Sequence, residues 1–142
     1  PVLVNEWLTH HGQRKVSTDM AVPDAEFPAM LRFYQEQLND GGFAYVIFGH
    51  IGDNHVHVNI LPKDDAEATR ARELYAVFIR RAVSVGGTIS AEHGIGKLKR
   101  DYLRELYGED HLAEMARLKH AFDPAGILGR GIMFNERLLE TV

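Results

Sequence analysis

The chain has 142 residues, 45% of them hydrophobic and 25% charged, and its formal net charge at pH 7 is -4. This length suffices for one buried core, and the mixture of acids and bases along the chain gives no reason to expect nucleic-acid binding. No apolar run approaches the roughly 20 residues of a membrane-spanning helix. The absence of cysteine excludes disulfides, thiolate catalysis and cysteine-bound metal. We therefore expect a cytoplasmic protein, or one that reaches a membrane only through partner subunits.

The first part of the chain predicts the order strand, helix, strand, strand. Residues 16–22 have the composition of a strand, and Asp24 then caps a helix that ends at Gly41. Residues 43–48 (FAYVIF) are aromatic and β-branched, which is typical of a buried strand. Residues 55–61 alternate, so that two histidines and an asparagine share one face and apolar side chains the other.

The second part predicts further helices and one short strand. A long helix is expected over residues 64–85, with these apolar side chains facing the core: Leu74, Val77, Phe78 and Ala82. Residues 88–90 could form a short strand, and residues 95–122 predict helices broken near Gly108. The resulting order is that of an α+β ferredoxin-like fold, an antiparallel sheet with helices on one face, plus C-terminal helices.

The segment HIGDNHVH concentrates three histidines between two predicted strands. If the hairpin turns about Asp53 and Asn54, His50 and His57 become cross-strand partners with Cβ atoms about 4.5–5.5 Å apart. Two imidazoles at that separation can share one cation, since Zn–N bonds are about 2.0–2.1 Å long. His55 lies on the same side and could be a third ligand or a substrate contact. The alternative is a polar sheet face whose histidines are simply solvated.

The segment GGTISAEHGIGKLKR places Glu92 and His93 between small residues and before two lysines. A carboxylate beside two imidazoles is a ligand set of catalytic zinc sites with an open position. His93 could then act as a general base, and the lysines suit an anionic substrate. The structural alternative is a helix N-terminus at which Ser90 caps and Glu92 favours the helix dipole.

Together these motifs resemble the C-terminal domain of the FAD-linked oxidases. This family includes the glycolate oxidase D subunit, D-lactate dehydrogenases and D-2-hydroxyglutarate dehydrogenases. Its pattern H-x-G-D-G-N-x-H, followed downstream by S-x-E-H-G-x-G, corresponds here to HIGDNHVH and SAEHGIGK. The segments STDMAVP and FDPAGILGRGIMF are also similar to family segments. Two departures stand out: Asn54-His55 replaces the family's Gly-Asn, and residues 129–132 (GRGI) replace its N-P-G-K.

The resemblance implies a role for each matching residue. His50, His57 and Glu92 would bind a divalent metal, with zinc expected and manganese or iron also compatible. His93 would be the catalytic base. Asn59 would be a polar contact of the substrate. His55, which stands where the family has asparagine, would be a second one.

The resemblance also implies a cofactor and partners. FAD would be held mostly by an absent N-terminal domain, with Gly129 and Arg130 as contacts from this chain. We expect residues 1–122 to form the metal- and substrate-binding domain and residues 123–142 to form a tail against the flavin-binding domain. That domain could be encoded in the same gene or as a separate subunit. Its absence would expose apolar surface and favour a homo-oligomer.

The implied function is that of an FAD-dependent 2-hydroxyacid dehydrogenase. The metal would bind the substrate carboxylate and C2 hydroxyl, His93 would take the hydroxyl proton, and the C2 hydride would pass to the flavin. The chain alone would therefore be inactive.

Two alternatives remain open at this point. Residues 55–61 nearly match the pattern of histidine-triad nucleotide hydrolases, with His57 as nucleophile, although the third position is Asn59. The other alternative is a free-standing ferredoxin-like binding or oligomerisation module without catalysis.

Overall fold

The structure is a computed structural model that describes residues 2–10, 12 and 14–141. It divides into two compact units, Pro1–Ala91 and Glu92–Val142. Among the described residues no helix combines the length and apolar character needed to cross a bilayer. The boundary predicted between a domain of residues 1–122 and a tail stays a prediction, and Pro1, His11, Gln13 and Val142 lie outside the described residues.

The first unit is a three-stranded antiparallel sheet with helices. Its elements follow in chain order: α1 (Val2–His10), β1 (Val16–Ser17), α2 (Phe27–Asp40), β2 (Tyr45–His50), β3 (His55–Ile60) and α3 (Asp65–Ser84). The strand order is β1-β3-β2, so β3 is central. Its apolar face, Val56, Val58 and Ile60, is almost completely buried. The predicted α+β class and antiparallel sheet are confirmed.

Two predicted strands are shorter than expected. Only Val16–Ser17 forms β1, and the chain returns to the sheet at Ala21 through two isolated bridges, one to His55 and one to Thr88. The fourth strand, predicted over residues 88–90, is reduced to that bridge at Thr88. Its position beside Ala21 is nevertheless the position of the last strand in a ferredoxin-like sheet.

The end of β1 has a physical cause at Thr18. Its N–H donates to the carbonyl of Val58 at 3.0 Å, but the Val58 N–H donates to the Thr18 hydroxyl at 2.9 Å instead of to a carbonyl. The backbone carbonyl of Thr18 therefore leaves the ladder and accepts from a side chain of β3. This exchange ends regular pairing at the point where the histidines of β3 begin.

The helices of the first unit follow the sequence signals closely. At the start of α3 the Asp64 side chain accepts from the N–H of Glu67 at 2.7 Å, and Glu67 accepts from the N–H of Lys63 at 2.8 Å. This pair resembles a capping box, except that the glutamate accepts from the N–H of the residue before the N-cap. In the interior, Phe78 packs edge-on against Tyr34 with ring centroids 4.7 Å apart. The predicted inward position of Val77 is wrong, because that side chain is 39% exposed.

The second unit contains α4 (Arg100–Phe122) and a short 3-10 helix, Glu136–Thr141. Gly108 interrupts α4 with φ 78° and ψ 173°, which confirms the predicted break there. After the helix end, Lys119 contacts the carboxylate of Asp123 and donates to the backbone carbonyl of Leu128 at 2.8 Å. The segment after α4 is thus hydrogen-bonded to the last turn of that helix.

Candidate functional site

A row of polar side chains occupies one face of the central strand. His55, His57 and Asn59 alternate along β3 and are 4%, 6% and 0% exposed. The ring centroids of His55 and His57 are 4.5 Å apart and nearly perpendicular. The interpretation as solvated surface histidines is therefore wrong for His55 and His57, because both are withdrawn from water.

The predicted pairing of His50 with His57 is wrong. His50 pairs with His55, and Phe48 pairs with His57. The connection is a four-residue loop in which Ile51–Asp53 forms a 3-10 turn and Asn54 adopts a left-handed conformation with φ 51°. His50 still lies on the same face, with its ring stacked on that of His55 at a centroid distance of 5.9 Å, but it is exposed.

The hydrogen bond of His57 fixes which of its nitrogens can bind a ligand. Its Nδ1 lies 2.9 Å from the backbone carbonyl of Thr18. Because a carbonyl oxygen can only accept, Nδ1 carries the hydrogen and the lone pair is on Nε2. Metal-binding histidines usually have this arrangement, with one ring N–H held by a carbonyl or carboxylate and the other nitrogen on the metal.

A buried carboxylate that sequence analysis did not single out lies beside the histidines. Asp19 is 2% exposed, and its Oδ1 is 3.1 Å from His55 Nε2. Its Oδ2 accepts a 2.6 Å hydrogen bond from the hydroxyl of Ser90. Ligand atoms of Asp19 and His57 lie within 4.8 Å of each other, so the first unit brings a carboxylate and an imidazole to one point.

The second unit begins with the other predicted pair. Glu92 Oε1 and His93 Nε2 are 3.2 Å apart, and both side chains are substantially exposed. Neither belongs to a helix, because α4 begins only at Arg100 with Lys99 as the preceding residue. The alternative in which Ser90 caps a helix at Glu92 is therefore wrong; the Ser90 hydroxyl donates to Asp19 instead.

Asn59 is the most unusual polar residue of the described chain. It is completely buried, yet neither Oδ1 nor Nδ2 of its amide has a hydrogen-bond partner among the described residues. An unsatisfied buried polar group costs about 1–3 kcal/mol. Such a cost is common where a ligand supplies the missing partner. This observation supports a contact between Asn59 and a bound molecule.

The predicted flavin contacts lie in the second unit, in an exposed turn. Gly129 has φ 52°, and the Arg130 guanidinium donates to Glu136 Oε2 at 3.0 Å. Asp123 stabilises the residues before this turn, because its carboxylate accepts from the N–H groups of Ile127 and Leu128 at 3.1 and 2.9 Å. A role of Gly129 and Arg130 in flavin binding stays a prediction.

Comparison with known proteins bears on the two motifs together. Residues 2–133 match the family of FAD linked oxidases, C-terminal domain. The chain belongs to that family. It is 37% identical over 118 residues to the mitochondrial D-lactate dehydrogenase [cytochrome] of Kluyveromyces lactis. The aligned region covers 83% of this chain and 20% of that protein.

Other relatives carry different substrate names. The chain is 34% identical to glycolate oxidase subunit GlcD of Bacillus subtilis, over 82% of this chain and 25% of that protein. It is 36% identical to a D-2-hydroxyglutarate dehydrogenase of Xanthomonas citri, over 82% of this chain and 26% of that protein. This member of the FAD linked oxidases thus spans a fifth to about a quarter of these relatives.

Asp123 in this family member provides a prediction about acid stability. The Lys119 side chain and then the N–H groups of Leu128 and Ile127 lower the pKa of Asp123 below its ordinary value. A carboxyl with a lowered folded-state pKa stabilises the protein above its ordinary pKa of about 4, and this contribution is lost as pH falls further.

We therefore expect Asp123→Asn to lower Tm at pH 7 but to leave Tm less sensitive to pH below about 4 than in the wild type. Circular dichroism melts from pH 7 to pH 3 measure this, with the exposed Asp110→Asn as control. Parallel Tm profiles for wild type and Asp123→Asn would contradict the assignment.

Proposed function

We propose that this chain provides the metal and substrate site of an FAD-dependent 2-hydroxyacid dehydrogenase. Three relatives whose names specify D-lactate, glycolate and D-2-hydroxyglutarate chemistry support the substrate class, since all three named compounds are 2-hydroxyacids. The observation that carries the proposal is the buried His57, whose Nδ1–H donates to the Thr18 carbonyl, so that the lone pair of the ring is on Nε2.

The proposed metal ligands are His57, Glu92 and His50. Imidazole and carboxylate together suit Zn²⁺, Mn²⁺ or Fe²⁺. Glu92 follows Ala91 directly, and the Ala91 N–H donates to the backbone carbonyl of Asp19 at 2.7 Å. Because consecutive Cα atoms are about 3.8 Å apart, this bond limits how far Glu92 can lie from the Asp19 backbone. When bound, the metal would act as a Lewis acid toward the substrate oxygens.

The proposed substrate contacts are Asn59, His55 and His93. The unpaired amide of Asn59 can both donate to and accept from a hydroxyacid. His93 would accept the proton of the C2 hydroxyl, and its Nε2 lies 3.2 Å from Glu92 Oε1. His55 is oriented by Asp19 and would present its remaining nitrogen to the substrate side.

The proposed flavin would accept the C2 hydride and would be bound mostly by a separate flavin-binding domain. Gly129 and Arg130 are the contacts proposed from this chain. The family match covers both the HIGDNHVH and SAEHGIGK motifs, whereas the histidine-triad hypothesis uses only residues 55–61. This difference favours the flavoprotein over that alternative.

The test is oxidation of glycolate, D-lactate and D-2-hydroxyglutarate by the flavoprotein that contains this chain, with an artificial electron acceptor. We expect His93→Ala to lower kcat by roughly 10²–10⁴-fold, the usual contribution of a general base. His111→Ala serves as control, because His111 is an exposed histidine of α4. Equal kcat for His93→Ala and wild type, or turnover by the isolated chain without flavin, would contradict the proposal.

A further inference from the structure

Asp19 connects two parts of the chain that are far apart in sequence. Its Oδ1 contacts His55 of β3, which is 36 residues away, and its Oδ2 accepts from Ser90, which is 71 residues away. Its backbone carbonyl also accepts from the N–H of Ala91 at 2.7 Å. Asp19 thus contacts both a histidine of β3 and the segment that directly precedes Glu92.

The burial of this carboxylate argues for a specific role. Asp19 is only 2% exposed, and a charge withdrawn from water is tolerated only when its oxygens are hydrogen-bonded. Both oxygens are: one faces an imidazole nitrogen and one accepts from a hydroxyl. An asparagine has the same shape but offers one acceptor and one donor, so it cannot keep both contacts unchanged.

The engagement of both oxygens also bears on the role of Asp19 near a metal. Each Asp19 oxygen already has a protein partner, His55 for one and Ser90 for the other, and these contacts suit a residue that holds neighbouring side chains in place. Its neighbour Thr18 acts in the same manner on His57 through the backbone carbonyl. Residues 18–19 therefore form a supporting layer behind the imidazoles of β3.

We propose that Asp19 is a positioning residue for the metal site. Its carboxylate holds the side chains of His55 and Ser90 in place and so positions the backbone segment that leads into Glu92. This inference rests on the proposed function, because it assumes the metal site of His57 and Glu92. Outer partners of metal ligands commonly affect metal affinity by about 10–100-fold.

The test is Zn²⁺ titration calorimetry of the purified chain, wild type beside Asp19→Asn, with the visible absorption spectrum of the Co²⁺ form as second readout. We expect Asp19→Asn to raise the Kd for Zn²⁺ about 10–100-fold while the Co²⁺ band positions stay unchanged, because the ligand set is intact. Asp40→Asn, an exposed aspartate at the end of α2, is the matched control and should leave both unchanged.

A second variant covers the case in which Asp19→Asn does not fold. Ser90→Ala removes only the hydroxyl that donates to Asp19, and we expect it to raise the Kd for Zn²⁺ about threefold to tenfold, as for one lost hydrogen bond. Melting of the metal-free proteins shows whether the affinity loss merely follows lost stability, which would overturn the positioning role.

The remaining outcomes separate the two proposals. Shifted Co²⁺ bands in Asp19→Asn would identify Asp19 as a direct ligand and overturn the positioning role. A wild-type Kd in both Asp19→Asn and Ser90→Ala would also overturn it and leave the proposed function intact. A wild-type chain that binds neither Zn²⁺ nor Co²⁺ would overturn the metal site itself.

Discussion

Replacing His57 by alanine is expected to abolish divalent metal binding by this chain. The wild type should contain close to one equivalent of zinc, manganese or iron by elemental analysis, and His57→Ala should contain almost none. The physical reason is that the variant removes a buried imidazole whose Nδ1–H is held by a backbone carbonyl and whose lone pair is on Nε2. Loss of a direct ligand should exceed the roughly 10–100-fold effect of losing an outer partner.

Two further variants make this metal experiment decisive. Glu92→Gln changes an exposed side chain and tests the second ligand with little risk to folding. His111→Ala removes a different exposed histidine and should retain the metal. Retention of metal by His57→Ala and Glu92→Gln, or no metal in the wild type after reconstitution, would show that these residues do not form a metal site.

The strand of the site was predictable because its pattern is local. Alternation over residues 55–60 is enough to put His55, His57 and Asn59 on one face, since successive side chains of a strand point to opposite sides. The break at Gly108 was predictable for a similar reason, because glycine readily adopts the positive φ that interrupts a helix.

The hairpin register was not predictable, because it depends on loop length. Asp53 and Asn54 could form either a two-residue turn or the end of a longer loop, and the sequence permits both. The difference changes the partner of His57 from His50 to Phe48 while leaving the facing side unchanged. The pattern therefore predicted the correct face and the wrong neighbours.

Contacts between distant segments account for what was missed. Nothing local to Asp19 indicates burial, because its partners His55 and Ser90 lie 36 and 71 residues further along. The wrong prediction for Val77 also depends on tertiary packing, because three consecutive residues of α3, Val77, Phe78 and Ile79, are all apolar. Helical periodicity did not indicate that Val77 faces solvent while Ile79 is fully buried.

Gly49→Ala is expected to destabilise the hairpin that carries the histidines. Gly49 has φ 150°, a conformation that side chains disfavour, and an added Cβ would lie 2.7 Å from His55 O and 2.8 Å from Val56 Cα. Both contacts are with backbone of β3, so no side-chain rotation can relieve them. Backbone strain of about 1–3 kcal/mol and overpacking of about 1–3 kcal/mol give a loss of roughly 2–6 kcal/mol.

Urea unfolding of Gly49→Ala beside Gly52→Ala measures this loss. Gly52 lies in the same hairpin, and a Cβ there would meet no atom within 4 Å, so its variant should stay within about 0.5 kcal/mol of the wild type. Equal free energies of unfolding for the two variants would show that β3 can move away from Gly49. Because displacement of β3 would also shift His55 and His57, we expect Gly49→Ala to weaken metal binding even at temperatures where it remains folded.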